Sequence, residues 1–232
     1  MTDTVTSKSS SISLNGYEGR LTRNWIVFGM LAGLLGAIAF FVASGISTLP
    51  FRLTMLLGFA IGPLLSLSFV GFYFFFRLDK ISVALQASVL FGIIAGTIFN
   101  MMLVIQSALF LTFPREARSD LGLAWDGLNM VQLGMDVSWD IYFTAATILL
   151  GIAMLSHPRF GKIWGGITLA VGVSLLVLNL LTFPVPPGDA GSVDLGPVSG
   201  LWYFVLMIRV LTSLKWIDMR LGADHTQSQN TP

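Results

Sequence analysis

Four polar residues recur at helical spacing within an apolar stretch in the second half of the chain. Asp136, Asp140, Thr144 and Thr147 are separated by four, four and three residues, so an α-helix places all of them on one face. Charged side chains at bilayer depth are costly and usually face the interior of a helix bundle. This face is therefore the first candidate site, with the Asp140 carboxyl as a charge partner or a proton carrier.

Polar side chains on three other apolar segments extend this candidate site. Asn100 and Gln106 lie in the third segment, Asn179 in the fifth and Arg209 in the last. The helical rise places Asp140 about 6 Å deep and Arg209 about 14 Å deep, so we predict an outward-facing polar pocket above Arg209. The predicted ligand-binding residues are Asp140, Arg209, Asn100, Gln106, Asn179 and Asp136.

Two interpretations of these polar residues remain open. In the first, Arg209 holds a small polar or anionic solute and Asp140 assists. In the second, Arg209 and Asp140 neutralise each other, and the amide side chains only hold helices together, each for ~0.6 kcal/mol. A cavity lined by these residues favours the first interpretation, whereas a direct Asp140–Arg209 pair without a cavity favours the second.

Enzymatic motifs do not accompany these residues. The chain has no His-Glu-x-x-His, Gly-x-Ser-x-Gly or Walker sequence, and His157 and His225 are its only histidines. His157 is interpreted as an ordinary loop residue near a membrane interface. Asp136 and Asp140 share one helix, which disfavours an aspartyl dyad, so an intramembrane enzyme is the third hypothesis. We expect no cofactor, no metal ion and no catalytic residue.

The composition identifies the environment in which these residues act. Apolar residues make up 54% of the 232 residues and charged residues only 11%, and cysteine is absent. A soluble domain has about 25% charged residues. The composition therefore excludes a soluble domain, a disordered chain and a nucleic-acid-binding protein, and the lack of cysteine excludes disulfides and Cys-ligated metals.

Six apolar segments are long enough to cross a hydrocarbon core of about 30 Å. They are Trp25–Ser44, Thr54–Phe76, Ser82–Phe113, Ser138–Leu155, Ile163–Phe183 and Gly200–Trp216. The sequence predicts an all-α, polytopic membrane helix bundle at 21–220 with an outer interfacial segment at 115–137 and an outer loop at 184–199. Flexible cytoplasmic tails are expected at 1–20 and 221–232.

The distribution of charges predicts the orientation. Nine basic residues fall on the side of the two termini and three on the other, and basic residues concentrate in cytoplasmic loops. Both termini are therefore expected to be cytoplasmic. Six acidic residues, including Asp189 and Asp194, fall on the outer side.

Glycine pairs at Gly-x-x-x-Gly spacing predict close helix packing. They are Gly29/Gly33, Gly58/Gly62, Gly92/Gly96 and Gly161/Gly165. Such pairs let helix backbones approach closely inside a membrane. They could serve contacts within one chain, as we expect, or between copies in a homo-oligomer.

The six-helix plan, the Trp139-Asp140-x-Tyr142-Phe143 sequence and the Phe183-Pro184 helix exit resemble a widespread family of uncharacterised bacterial six-helix integral membrane proteins. The resemblance implies a multi-pass protein of the bacterial inner membrane and assigns no chemistry. Our leading hypothesis is a non-enzymatic membrane protein that binds or transports a small solute. A structural or accessory membrane subunit without a ligand is the alternative.

Overall fold

The computed structural model describes residues 16–46, 48–113 and 122–228. These residues form seven α-helices and no β-strand. The helices are α1 (Gly16–Gly45), α2 (Phe51–Phe76), α3 (Val83–Thr112), α4 (Leu123–Met154), α5 (Gly161–Thr182), α6 (Gly196–Leu211) and α7 (Leu214–Ser228). The predicted all-α fold is confirmed.

The lengths and compositions of these helices suit a membrane. Within the described residues, α1 to α5 are each long and apolar enough to span one, and α6 with α7 forms a sixth candidate span bent by 48°. Helix α6 alone has 16 residues, or about 24 Å, which is less than the hydrocarbon thickness. The predicted multi-span helix bundle is therefore confirmed, with five to six spans.

Helix α4 is longer than the sequence prediction. It runs without interruption from Leu123 to Met154, so most of the predicted interfacial segment at 115–137 is continuous with the predicted fourth span in one helix. No proline occurs between those ends, and nothing else interrupts the main-chain hydrogen bonds. The start of that segment, 114–121, lies outside the described residues.

Two other boundaries also differ from the prediction. Helix α6 begins at Gly196, within the predicted loop at 184–199, with Pro197 in its first turn. Proline suits that position because the first turn needs no amide donor there. Helix α7 continues to Ser228, so part of the predicted C-terminal tail at 221–232 is helical, and α1 already begins at Gly16.

Successive helices pack side by side, and glycines form the closest crossings. A Cβ atom on Gly29 would lie 2.6 Å from the Gly71 Cα, and one on Gly151 would lie 3.1 Å from the Gly165 carbonyl oxygen. A Cβ atom on Gly62 would likewise collide with the Gly96 carbonyl oxygen. These seams join α1 to α2, α4 to α5 and α2 to α3, so the glycine pairs contribute contacts within the chain.

Helix α6 packs against other helices of the bundle, including α2, α4 and α5. Its Tyr203 ring packs against Phe69 of α2 and Phe143 of α4, with ring centroids 5.6 and 4.9 Å apart. Trp202 of α6 donates a hydrogen bond from Nε1 to Thr168 of α5. These contacts hold the N-terminal half of α6 at the centre of the bundle.

The two ends of the bundle differ in charge. We call the end with the 183–195 loop the acidic end, and the opposite end, with the turns at 77–82 and 155–160, the basic end. Two ion pairs, Arg23–Asp218 and Arg220–Asp79, lie at the basic end.

Candidate functional site

The acidic end contains a cavity of about 380 Å³. Helices α1 to α4, the 186–194 part of the loop and the start of α6 all contribute to its wall. Four carboxyl groups line it, two from α4 and two from the loop: Asp136, Asp140, Asp189 and Asp194. No Lys, Arg or His is among the described residues that line this cavity, so its wall is strongly acidic.

Asp140 is the most buried of these acids. It is only 7% exposed, and its Oδ1 atom is buried without a hydrogen-bond partner. The side-chain amide of Asn179, from α5, interacts with the Asp140 carboxyl. Asn179 is itself fully buried and donates from Nδ2 to the Leu175 carbonyl oxygen at 3.1 Å. This amide supports the carboxyl but brings no positive charge.

The two threonines of the same α4 face are satisfied within the protein. The Thr144 hydroxyl donates to the Ile141 carbonyl at 2.9 Å, and the Thr147 hydroxyl donates to the Phe143 carbonyl at 2.7 Å. The polar face therefore ends in neutral, hydrogen-bonded groups below Asp140. On this face, the Asp140 Oδ1 atom at the cavity is buried without a hydrogen-bond partner.

The loop acids complete the electrostatics of the cavity. Asp194 accepts a hydrogen bond at Oδ1 from the Gly196 amide, 2.7 Å away, which positions its carboxyl at the start of α6. Asp136 interacts electrostatically with Asp189 and Asp194, and Asp140 interacts with Asp136 and Asp194. Like charges gathered in a cleft focus a negative potential that attracts cations.

Trp139 also lines the cavity and has an unpartnered polar atom. Its indole lines the wall beside Asp140, and its Nε1 atom is buried without a hydrogen-bond partner. The ring lies 5.0 Å from Phe99 of α3. The cavity thus combines carboxylates with aromatic faces.

The structure places Arg209 at the basic end, away from the predicted pocket. Its Nη2 atom donates to the Arg159 main-chain carbonyl oxygen at 3.1 Å, and its guanidinium lies 5.6 Å from the Trp164 ring. The predicted position beneath Asp140 is wrong because Arg209 lies in the last turn of a short α6 that begins at Gly196.

Asn100 and Gln106 do not line the cavity either. Asn100 packs against Gly62 where α3 crosses α2, and its Oδ1 atom is buried without a hydrogen-bond partner. Gln106 is half-buried on α3. Of the six predicted residues, the structure brings together Asp136, Asp140 and Asn179.

Sequence reasoning did not assign Asp189, Asp194 and Trp139 to the site. Their signals were an acidic excess on one side of the chain and a tryptophan next to Asp140. A loop rich in proline and glycine has no periodicity, so its acids cannot be placed on a helix face from sequence.

His157 occupies the basic end. It is buried against aromatic rings that include Phe75 and Phe160, and its Nδ1 atom accepts from the Arg159 amide at 3.2 Å. Burial, with the nearby charges of Arg220 and Arg159, lowers the pKa of His157 to about 4. The imidazole is therefore neutral at pH 7, and it is a core residue of its turn.

Among the residues that the structure describes, no three Asp, Glu or His side chains lie close enough together to hold a metal ion. Comparison with family models, curated proteins and solved structures finds no match to this chain. The function is therefore inferred from the geometry of the acidic cavity.

Proposed function

We propose that this integral membrane protein is non-enzymatic and binds or transports a small cationic solute in the cavity at its acidic end. The observation that carries the proposal is the buried Asp140 carboxyl, which lines a cavity of about 380 Å³ with its Oδ1 atom unpartnered. That size falls within the range of small-molecule sites, about 300–1,000 Å³.

The sign of the ligand charge follows from the wall of the cavity. Arg209, the residue expected to hold an anion, is bonded to the Arg159 carbonyl at the other end of the bundle. The described wall has four carboxyl groups and no basic residue. An anion would be repelled there, whereas a cation would neutralise part of this charge.

Energetics support the same conclusion. Moving a carboxylate out of water without a counter-charge costs several kcal/mol. Asn179 offsets only part of this cost for Asp140, because an amide brings no opposite charge. A bound cation would offset more of it than the amide does.

The proposed setting is the bacterial inner membrane with both termini in the cytoplasm. The excess of basic residues at the end that bears the termini supports this orientation. The acidic cavity then opens to the outside. A solute could enter it beside Gly188 and Asp189, which are exposed loop residues of the cavity wall.

Thermal stabilisation of the detergent-purified protein tests the charge of the ligand. Tetramethylammonium chloride should raise the melting temperature of the wild type more than sodium acetate does at equal ionic strength. The Asp140→Asn variant should lose this cation-specific shift. Asp126→Asn is the matched control, since Asp126 lies on the same helix but is exposed and outside the cavity wall. Stabilisation by acetate alone, or an undiminished cation shift in Asp140→Asn, would refute the proposal.

A further inference from the structure

A second, smaller cavity adjoins the acidic one. It has a volume of about 70 Å³ and an almost wholly apolar lining contributed by α1, α2, α3, α4 and α6. Five residues line both cavities: Phe40, Ile61, Phe99, Trp139 and Gly196. The two spaces are therefore neighbours that share a wall of mostly apolar and aromatic side chains.

Small residues create the apolar space. On α1 it is bordered by Gly33, Gly36 and Ala37, and on α6 by Ser199 and Gly200. A Cβ atom on Gly200 would meet only the Phe41 Cζ atom, at 3.9 Å. The Gly200 position on α6 thus leaves room for a small apolar group, whereas Gly33 on α1 is already packed against Met207 and Ser68.

A continuous series of aromatic rings connects the acidic cavity to this space. Trp139 stacks on Phe143 at an interplanar angle of 17° with ring centroids 5.4 Å apart, and Phe143 lies 4.9 Å from Tyr203. Aromatic faces attract organic cations as well as apolar groups. The rings therefore offer favourable contacts to both parts of a ligand that has a charged head and an apolar body.

We propose that the ligand is an amphipathic organic cation, with its charged group among the four aspartates and a short apolar chain in the smaller cavity. This inference rests on the proposed function and specifies its substrate class. A metal ion fits less well, because no three Asp, Glu or His side chains among the described residues lie close enough together to hold one. A small hydrophilic cation would leave the apolar space unused.

Two probes with the same charge distinguish this inference from the simpler proposal. Tetramethylammonium has a charged head alone, and propyltrimethylammonium adds a short apolar chain. We expect the wild type to bind the propyl compound about tenfold more tightly, since its chain is removed from water. Equal affinities would overturn this inference and leave the proposed function standing, whereas binding of neither cation would refute the proposed function.

A cavity-filling variant locates the extra affinity. Gly200→Leu should abolish the preference for propyltrimethylammonium while retaining tetramethylammonium binding, because Gly200 borders only the apolar cavity. Gly166→Leu is the matched control, since Gly166 is helical with nothing near its Cβ position. Gly200→Ala should reduce the difference in affinity between the two cations to a smaller extent. It replaces the leucine variant in this test if that variant does not fold. An unchanged preference in the folded Gly200 variants would overturn the inference.

Discussion

Arg209 donates a hydrogen bond from Nη2 to the main-chain carbonyl oxygen of Arg159, 3.1 Å away. This bond ties the last turn of α6 to the turn between α4 and α5. It also commits the charge of Arg209 to the basic end, so that no basic side chain among the described residues lines the cavity at Asp140. The separation of these two charges is the basis for a cation site at the acidic end.

The role of Arg209 as a structural residue can be tested by Arg209→Ala. We expect the variant to lose about 1–3 kcal/mol of stability, since the Arg159 carbonyl loses its charged donor. Tetramethylammonium affinity should stay at the wild-type level. Thermal unfolding and cation titration measure the two effects, with exposed Lys215→Ala as control. A large loss of cation affinity in the folded Arg209→Ala protein would show that Arg209 acts on the site.

The α2–α3 crossing predicts a contrast between two glycines. Gly62→Ala should destabilise the protein by about 1–3 kcal/mol, because its new methyl group would collide with the Gly96 carbonyl and force the helices apart. Gly166→Ala meets nothing within 4 Å and should be neutral or slightly stabilising. Melting temperatures of the two variants in the same detergent provide the comparison, and equal values would contradict this packing.

The pH dependence of stability should report the buried state of His157. Its pKa is about 4 in the folded protein but about 6.5 in an unfolded chain. The unfolded chain therefore gains a proton first as the pH falls. Stability should decrease between about pH 6.5 and pH 4, by up to about 3 kcal/mol, and change little from this group below pH 4.

A variant without the imidazole isolates this effect from other titrating groups. The melting temperature of His157→Leu should fall less than that of the wild type between pH 7.5 and pH 4.5. The difference between the two curves is the quantity to compare. Parallel curves would mean that His157 remains accessible to protons in the folded state.

Asp194 has two functions that one substitution can separate. Asp194→Ser keeps an oxygen that can accept from the Gly196 amide but removes a charge from the cavity wall. We expect near-normal stability and tetramethylammonium affinity reduced on the order of fivefold, because one partly screened attraction is lost. Isothermal titration measures the affinity. Unchanged binding would place the cation away from the loop acids.

The sequence was informative wherever periodicity applied. The spacing of Asp136 and Asp140 predicted one face of one helix, and the structure shows that both line the same cavity. Counting from Gly200 places Arg209 too close to the acidic end, because α6 begins at Gly196. Counting from the correct start moves Arg209 about 6 Å further along the helix.

Tertiary contacts could not be predicted in the same way. Asp194 reaches the cavity through a loop whose path depends on turns and buried prolines, including Pro186. The apolar cavity exists because small residues on α1 and α6 face each other. Neither feature has a periodic signature, since each depends on how separate helices meet.

Direct measurement of cation binding tests the central claim most closely. Equilibrium dialysis of the purified protein against radiolabelled tetramethylammonium should show saturable binding of about one cation per chain, as expected for a single cavity. Asp140→Asn should lose most of this binding, and Asp126→Asn should keep it. Saturable binding of labelled acetate in place of the cation, or cation binding that survives Asp140→Asn unchanged, would contradict a cation site at Asp140.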